Sequence, residues 1–259
     1  MKLKNSISNK GYIIVKNALN KKLIKEIQNK ILKGNNKNSY TAFSKKISKI
    51  KNQKLFKFIN PINKILFNEN LIDKLLLEKK VISELRKLLG SDLAFSEGSS
   101  LFINKPERKK NYYFKSWHQE IWSGTSVSMI HLWTPIFQKN KKDGQISFIK
   151  DSHKWGHIPH RNRKVISLPK DYKIENLNVN IGDLVMFTGT TVHRTEPCTF
   201  PRLGLGIIVK NFKYKDYSFS QNLNWKIFSL SELSKLQKYL GNHYLSPYRL
   251  VNIDHKFEE

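Results

Sequence analysis

The chain has 259 residues, 39% of them hydrophobic, enough to bury one substantial core and too few to make two large domains. It holds a single cysteine, Cys198, which excludes an internal disulfide and any multi-cysteine zinc or iron–sulfur site. The formal charge of +27 comes from forty lysines and only seven arginines, scattered along the whole length among many Asn and Ile. Readers of phosphates and bases favour the bidentate arginine fork and cluster their charge, so this pattern argues for a solvated lysine surface and against a nucleic-acid partner.

No run reaches the roughly 18 apolar residues of a membrane span. The basic opening MKLKNSISNKGYIIVKNALN carries too short an apolar stretch for a signal peptide, and a cytoplasmic location is expected. Residues 1–90 read as mainly helical. A short strand in GYIIVKN leads to Asn20 as an N-cap. Leu23, Ile24, Ile27, Ile31 and Leu32 then give one apolar helical face that ends near Gly34. NQKLFKFINPINKILF and ENLIDKLLLEKKVISELRKLLG continue that periodicity, with Pro61 expected to interrupt it and Gly90 to stop it. From about residue 91 to 215 the pattern changes to short runs rich in Phe, Ile, Val, Ser and Thr between turn residues. LAFSEGSSLFINKP, SVSMIHLWTPIFQ, GQISFIK, DLVMFTG and LGLGIIVKNF are the clearest. Strands at this spacing predict a mostly β core of the double-sheet jelly-roll or barrel type, and SLSELSKLQKYLG returns the tail, 216–259, to helix. One domain over 1–259 is expected.

The chemistry concentrates in SWHQEIWSG. In a strand, residues two apart share a face, so His118 and Glu120 can aim an imidazole and a carboxylate at one point while Gln119 faces away. His-x-Glu alone is a common triple. A third ligand is available in His193, where GDLVMFTGTTVHRTEPC runs from a strand into a turn and a histidine. Two histidines and one carboxylate form the facial triad of non-heme Fe(II) oxygenases, which leaves metal positions open. Arg202, at the start of RLGLGIIVKNF, is suited to hold a dicarboxylate cosubstrate bidentately.

These motifs, taken in order, resemble the phytanoyl-CoA dioxygenase-like family of Fe(II)/2-oxoglutarate oxygenases. The resemblance covers nearly the whole chain: GYIIVKNALN, LFINKP, WHQE, HLWTP, DGQISFIKDSHKWGH, and GDLVMFTGTTVHRT with its following arginine. It implies a double-stranded β-helix, cupin-like, flanked by helices at both ends. It also implies an enzyme that uses Fe(II), 2-oxoglutarate as cosubstrate and O2 to hydroxylate a small molecule. His118, Glu120 and His193 would ligate iron, Arg202 would pair with the distal carboxylate, and Thr195, Trp133 and Leu101 would line the cosubstrate site. The chain departs from the family in having Glu120 where most members have Asp, and KDSHK where members commonly have Pro-Gly before Ser-His. Keeping a carboxylate argues for hydroxylation over halogenation.

Other residues have competing readings. His153, His157 and His160 have a zinc-like spacing, but Gly156 and Pro159 interrupt it, and a loop at the pocket mouth is expected, with His153 and Trp122 touching substrate. His131 reads as a packed strand histidine with a satisfied hydrogen bond, Trp117 as core, and Cys198 as a small filler. Arg161, Arg163 and Arg194, close in sequence to the proposed ligands, suggest an anionic substrate. Three alternatives stay open: a nucleic-acid-directed oxygenase, a non-catalytic relative, and a cupin-type isomerase that does not use 2-oxoglutarate.

Overall fold

Hydrophobic spacing changes at Gly90 from the helical repeat to alternation, and the backbone follows it. The computed structural model describes residues 7–106, 116–139, 144–214 and 224–239, leaving aside the side chains of 52 and 53. Its first part runs β1 (Tyr12–Val15), α1 (Lys21–Lys33), α2 (Tyr40–Lys49), α3 (Asn52–Asn68), α4 (Leu71–Leu76) and α5 (Lys79–Leu89). The second runs β2 (Leu93–Ser96), β3 (Ser100–Asn104), β4 (Ile130–Phe137), β5 (Ile146–Ile149), β6 (His160–Arg161), β7 (Lys164–Val165), β8 (Ile174–Asn176), β9 (Leu184–Thr188), β10 (His193–Thr195), β11 (Arg202–Asn211), β12 (Trp225–Ser229) and α6 (Glu232–Tyr239).

Asn20 caps α1 as expected, its side chain accepting from the Lys22 N–H at 2.8 Å. Gly34 receives the C-terminus, and Leu23, Ile24, Ile27 and Ile31 form the buried face. Pro61 does not interrupt the next helix, which is continuous from Asn52 to Asn68. Leu55 and Ile59 before the proline and Ile62 and Leu66 after it are all buried, so packing on both sides holds the helical path that proline alone disfavours.

The larger sheet has the order β1-β9-β4-β11-β2-β12, with β3 also paired to β11, and the smaller is β10-β5-β8. Every pairing is antiparallel. This is the double-stranded β-helix, and it is wider than residues 91–215: β1 joins one edge from the N-terminal part and β12 the other from the tail. The tail is therefore not helical throughout; α6 is its described helix, and residues from 240 onward lie outside the described residues.

Alternation along β11 builds two cores. Leu203, Leu205, Ile207 and Val209 point outward into a cluster with Ile24, Ile27, Ile31, Leu71 and Leu75 of the helices. Each such side chain, nearly or fully buried, contributes about 1.5–3 kcal/mol relative to exposure. Gly204, Gly206 and Ile208 take the opposite face, toward the space between the sheets, where Tyr12, Ile146, Phe148, Val185 and Phe187 pack together.

Candidate metal centre

His118 does not belong to a regular strand. It forms an isolated antiparallel bridge with His193, each N–H donating to the other's carbonyl at 3.0 and 2.9 Å, and Glu120 begins a 3-10 turn that ends at Ser123. The strand geometry expected for the triple is thus replaced by a bridge and a turn, yet the side chains still converge. The two histidines are coupled directly by backbone hydrogen bonds, and Glu120 is tied by its N–H to Gly189 O at 2.9 Å.

His118 Nε2 lies 3.8 Å from Glu120 Oε1 and His193 Nε2 lies 3.3 Å from the same oxygen. The three donor atoms fall within 4.8 Å of one another. Each imidazole is oriented by its other nitrogen: His118 Nδ1 faces Ser116 O at 2.8 Å and His193 Nδ1 faces Thr191 O at 3.0 Å. A carbonyl can only accept, so Nδ1 carries a proton in both rings; each Nε2 faces the shared locus, where it donates to Glu120 when protonated and offers its lone pair to a metal once that proton is lost. Burial works to raise the Glu120 carboxyl, but hydrogen bonds from His118 and His193 hold it well below the ordinary carboxylate range. Burial works to lower His118, and the bond and charge of Glu120 overcome it and raise the imidazole. His193 is lowered by burial and by the nearby His118. Two oriented imidazoles and an ionised carboxylate on one side of an open pocket are a donor set that fits iron.

The pocket between the sheets has a cavity volume of about 110 Å³. Trp133 and Thr195 both line it. Arg202 is 3% exposed, and its guanidinium carbon lies 4.2 Å from the centre of the Trp133 ring. Two glycines make room for the wall: a Cβ at Gly204 would meet Trp133 Nε1 at 2.7 Å, and one at Gly206 would overlap the Phe102 ring. Leu101 falls on the wrong face. Pairing of β3 with β11 sends Leu101 into the helix-side core, and Ser100 and Phe102 face the pocket instead.

The loop residues are engaged elsewhere. His153 bonds Ser8 O at 2.7 Å and packs beside Gly11, away from the pocket lining. Trp122 stacks under Arg163, with 5.5 Å from guanidinium carbon to ring centre, and is not among the lining residues. Trp117 is half-buried between Arg194 and Tyr172 rather than in the core. Arg194 is bonded to Glu196 at 2.8 Å, and none of Arg161, Arg163 and Arg194 lines the pocket, so the pocket gives the anionic-substrate expectation no support. The H-x3-H-x2-H run is not a zinc site: His160 Nε2 accepts the Gln119 N–H at 3.0 Å, and among the described residues the His118–Glu120–His193 group is the one metal-capable cluster.

Two residues carry more than the sequence indicated. Gln119 is fully buried; its amide nitrogen donates to Gly156 O and Thr190 O at 2.7 and 2.6 Å, and its oxygen accepts from the Ile158 N–H at 3.0 Å. It pegs the two flanking loops to the peptide between the ligands. Alternation did signal that it points away from the metal, but nothing in the sequence signals its partners. His131 is 4% exposed with Nε2 unpartnered, contrary to a satisfied strand histidine, and burial pushes its imidazole down to about 4.

A profile of the family described as phytanoyl-CoA dioxygenase (PhyH) matches residues 7–202. No curated protein matches the sequence. Among solved structures, the chain is similar to the non-heme monooxygenase ThoJ in its apo form, at TM-score 0.61 and 13% identity over 89% of this chain and 84% of that one. It is also similar to the epimerase SnoN in complex with Fe3+, alpha ketoglutarate and nogalamycin RO, at TM-score 0.56 and 13% identity over 82% and 83%. A third is SnoK, a non-heme alpha ketoglutarate dependent carbocyclase from nogalamycin biosynthesis, at TM-score 0.51 and 11% identity over 88% and 96%.

Proposed function

Because the chain belongs to the phytanoyl-CoA dioxygenase (PhyH) family, a 2-oxoglutarate-dependent non-heme iron dioxygenase, we propose that it hydroxylates a C–H bond of a small molecule. In the overall reaction 2-oxoglutarate loses CO2 and becomes succinate, one atom of O2 entering succinate and the other the product. The observation that carries this reading is the convergence of His118, Glu120 and His193 with their Nδ1 protons fixed by backbone carbonyls.

In this reading His118 Nε2, Glu120 and His193 Nε2 hold the iron, which when bound supplies activation of dioxygen with 2-oxoglutarate as electron source. Arg202 receives the distal carboxylate beside Trp133, and Thr195 lines the same pocket as that tryptophan. Burial of Arg202 strengthens that charge pairing, because little water competes for either partner. Phe102, Ile146, Phe187 and Ile208 keep water from the reacting region. Glu120 takes the place of the family's usual Asp, at the start of a 3-10 turn.

The test is succinate release from 2-oxoglutarate across a metabolite library, coupled with a product heavier by one oxygen atom. Matched succinate and hydroxylated product, lost in Glu120→Ala, support the proposal; a turnover product without added oxygen favours an epimerase or isomerase instead.

A further inference from the structure

The pocket wall carries a histidine that neither the metal set nor the cosubstrate clamp uses. His131 Nε2 is buried and makes no hydrogen bond, although leaving a buried polar group unmet costs about 1–3 kcal/mol. The ring is held in place by Phe187, with centroids 5.6 Å apart and planes inclined by 29°, and Phe187 in turn packs on His193 at 4.7 Å. Gly189 packs closely beside the ring: a Cβ there would come within 3.3 Å of Nε2 and 2.8 Å of Ile121 Cγ2.

Register locates this atom along the pocket. On β4, His131 stands opposite Ile208 of β11, while Trp133 stands opposite Gly206. Arg202 opens β11, so His131 lies one strand step, about 6.6 Å, farther from the clamp than Trp133 does. The lining continues past that level through Gly98, Ser99 and Ile208. A five-carbon dicarboxylate anchored at Arg202 and ending at the metal leaves this far end for the primary substrate. Apart from His131 and two serines, the side chains facing that end are hydrocarbon: Phe102, Phe187 and Ile208.

We infer that His131 is a specificity-determining residue whose Nε2 hydrogen-bonds a carbonyl or hydroxyl oxygen of the primary substrate, and that this substrate is mainly apolar around that oxygen. The inference rests on the oxygenase reading above and names the substrate class for the same site. A single buried hydrogen-bonding atom in an apolar wall rejects a matching hydrocarbon, which would leave the atom unmet, more strongly than it rejects small changes of shape.

The protein loaded with Fe(II) and 2-oxoglutarate under anaerobic conditions is probed by saturation-transfer NMR with cyclohexanone, cyclohexanol and methylenecyclohexane. At least about a fivefold tighter binding of one oxygen-bearing probe over the hydrocarbon is expected. His131→Phe abolishes the preference, and His131→Gln, which keeps a hydrogen-bonding group, retains part of it. Circular dichroism and the 2-oxoglutarate titration report that both variants are folded and loaded. Equal binding of the probes, or none, by the unaltered protein overturns the inference, as does a preference that survives in His131→Phe. A loss of more than about tenfold in 2-oxoglutarate affinity in His131→Gln would also overturn it, by assigning the residue to the cosubstrate. Failure of the unaltered protein to take up 2-oxoglutarate at all would count against the oxygenase reading itself.

Discussion

Replacing Gln119 by alanine removes the side chain that joins the ligand-bearing peptide to two separate loops. Its hydrogen bonds reach Gly156, Thr190 and Ile158 at 2.7, 2.6 and 3.0 Å. At about 1 kcal/mol net for each bond, the three together amount to about 3 kcal/mol. Gly156 is exposed and Ile158 and Thr190 are half-buried, so water replaces part of the loss and the expected destabilisation is about 2–3 kcal/mol. Gln119→Glu is the sharper perturbation. A carboxylate cannot donate, so two carbonyls that now receive hydrogen bonds would face an acceptor, and the loss should exceed that of alanine. Urea denaturation of the metal-free protein measures both, and a titration with Fe(II) should show weaker metal binding, because Gln119 lies between His118 and Glu120. A cost below about 0.5 kcal/mol for both variants, with unchanged metal affinity, would refute the claim that this amide positions the centre.

Arg202→Ala should weaken 2-oxoglutarate binding by about 1.5–3 kcal/mol, the scale of a charge-assisted hydrogen bond, and Arg202→Lys by less, since the charge remains while the fork and the stacking on Trp133 are lost; an unchanged affinity by isothermal titration would show that another residue is the clamp. Gly206→Val should cost stability and pocket volume together, because its side chain would need the space of the Phe102 ring, so thermal unfolding and probe binding should both decline, and a neutral variant would contradict the packing. Fe(II) affinity should fall on acidification from pH 8 to pH 6. His118 is raised above its ordinary 6.5, so a proton competes for Nε2, and this residue alone gives a factor of at least about four. In the metal-free protein the raised His118 contributes stability below 6.5 that fades as pH climbs through its folded value, the lowered Glu120 contributes stability above 4.5 that fades as pH falls, and the lowered His193 and His131 cost stability as pH falls below 6.5. Its ion pair is therefore worth most between those two values, and an affinity for iron that stays flat or rises toward pH 6 would contradict this.

Much of the fold was legible because it rests on local periodicity and caps. Asn20, the apolar face of α1, Gly34 and the strands β2, β3, β4, β5, β9 and β11 follow from spacing alone, whereas the short β6, β7, β8 and β10 do not. The misreadings came where long-range packing decides. Pro61 sits in an unbroken helix because buried residues flank it on both sides. β12 completes the edge of the sheet by pairing with β2, a partner more than a hundred residues away that its own five residues do not reveal. At the site, the three residues of the metal-capable cluster were readable from motif order, but their geometry was not, since it rests on the bridge between His118 and His193 and the turn at Glu120. Leu101 and Phe102 show the same limit in a strand, where a parity error of one residue exchanges core for pocket. For His153 and Trp122, the contacts that occupy them come from Ser8 and Arg163, which sequence proximity to the metal motif does not indicate.

The central claim is that His118, Glu120 and His193 hold iron with open positions for 2-oxoglutarate. Anaerobic addition of Fe(II) and 2-oxoglutarate, followed in the visible spectrum, tests it most directly. A weak metal-to-ligand charge-transfer band should grow to saturation at one iron per chain and be absent in His193→Ala. No band in the unaltered protein, or an undiminished band in His193→Ala, would contradict the assignment.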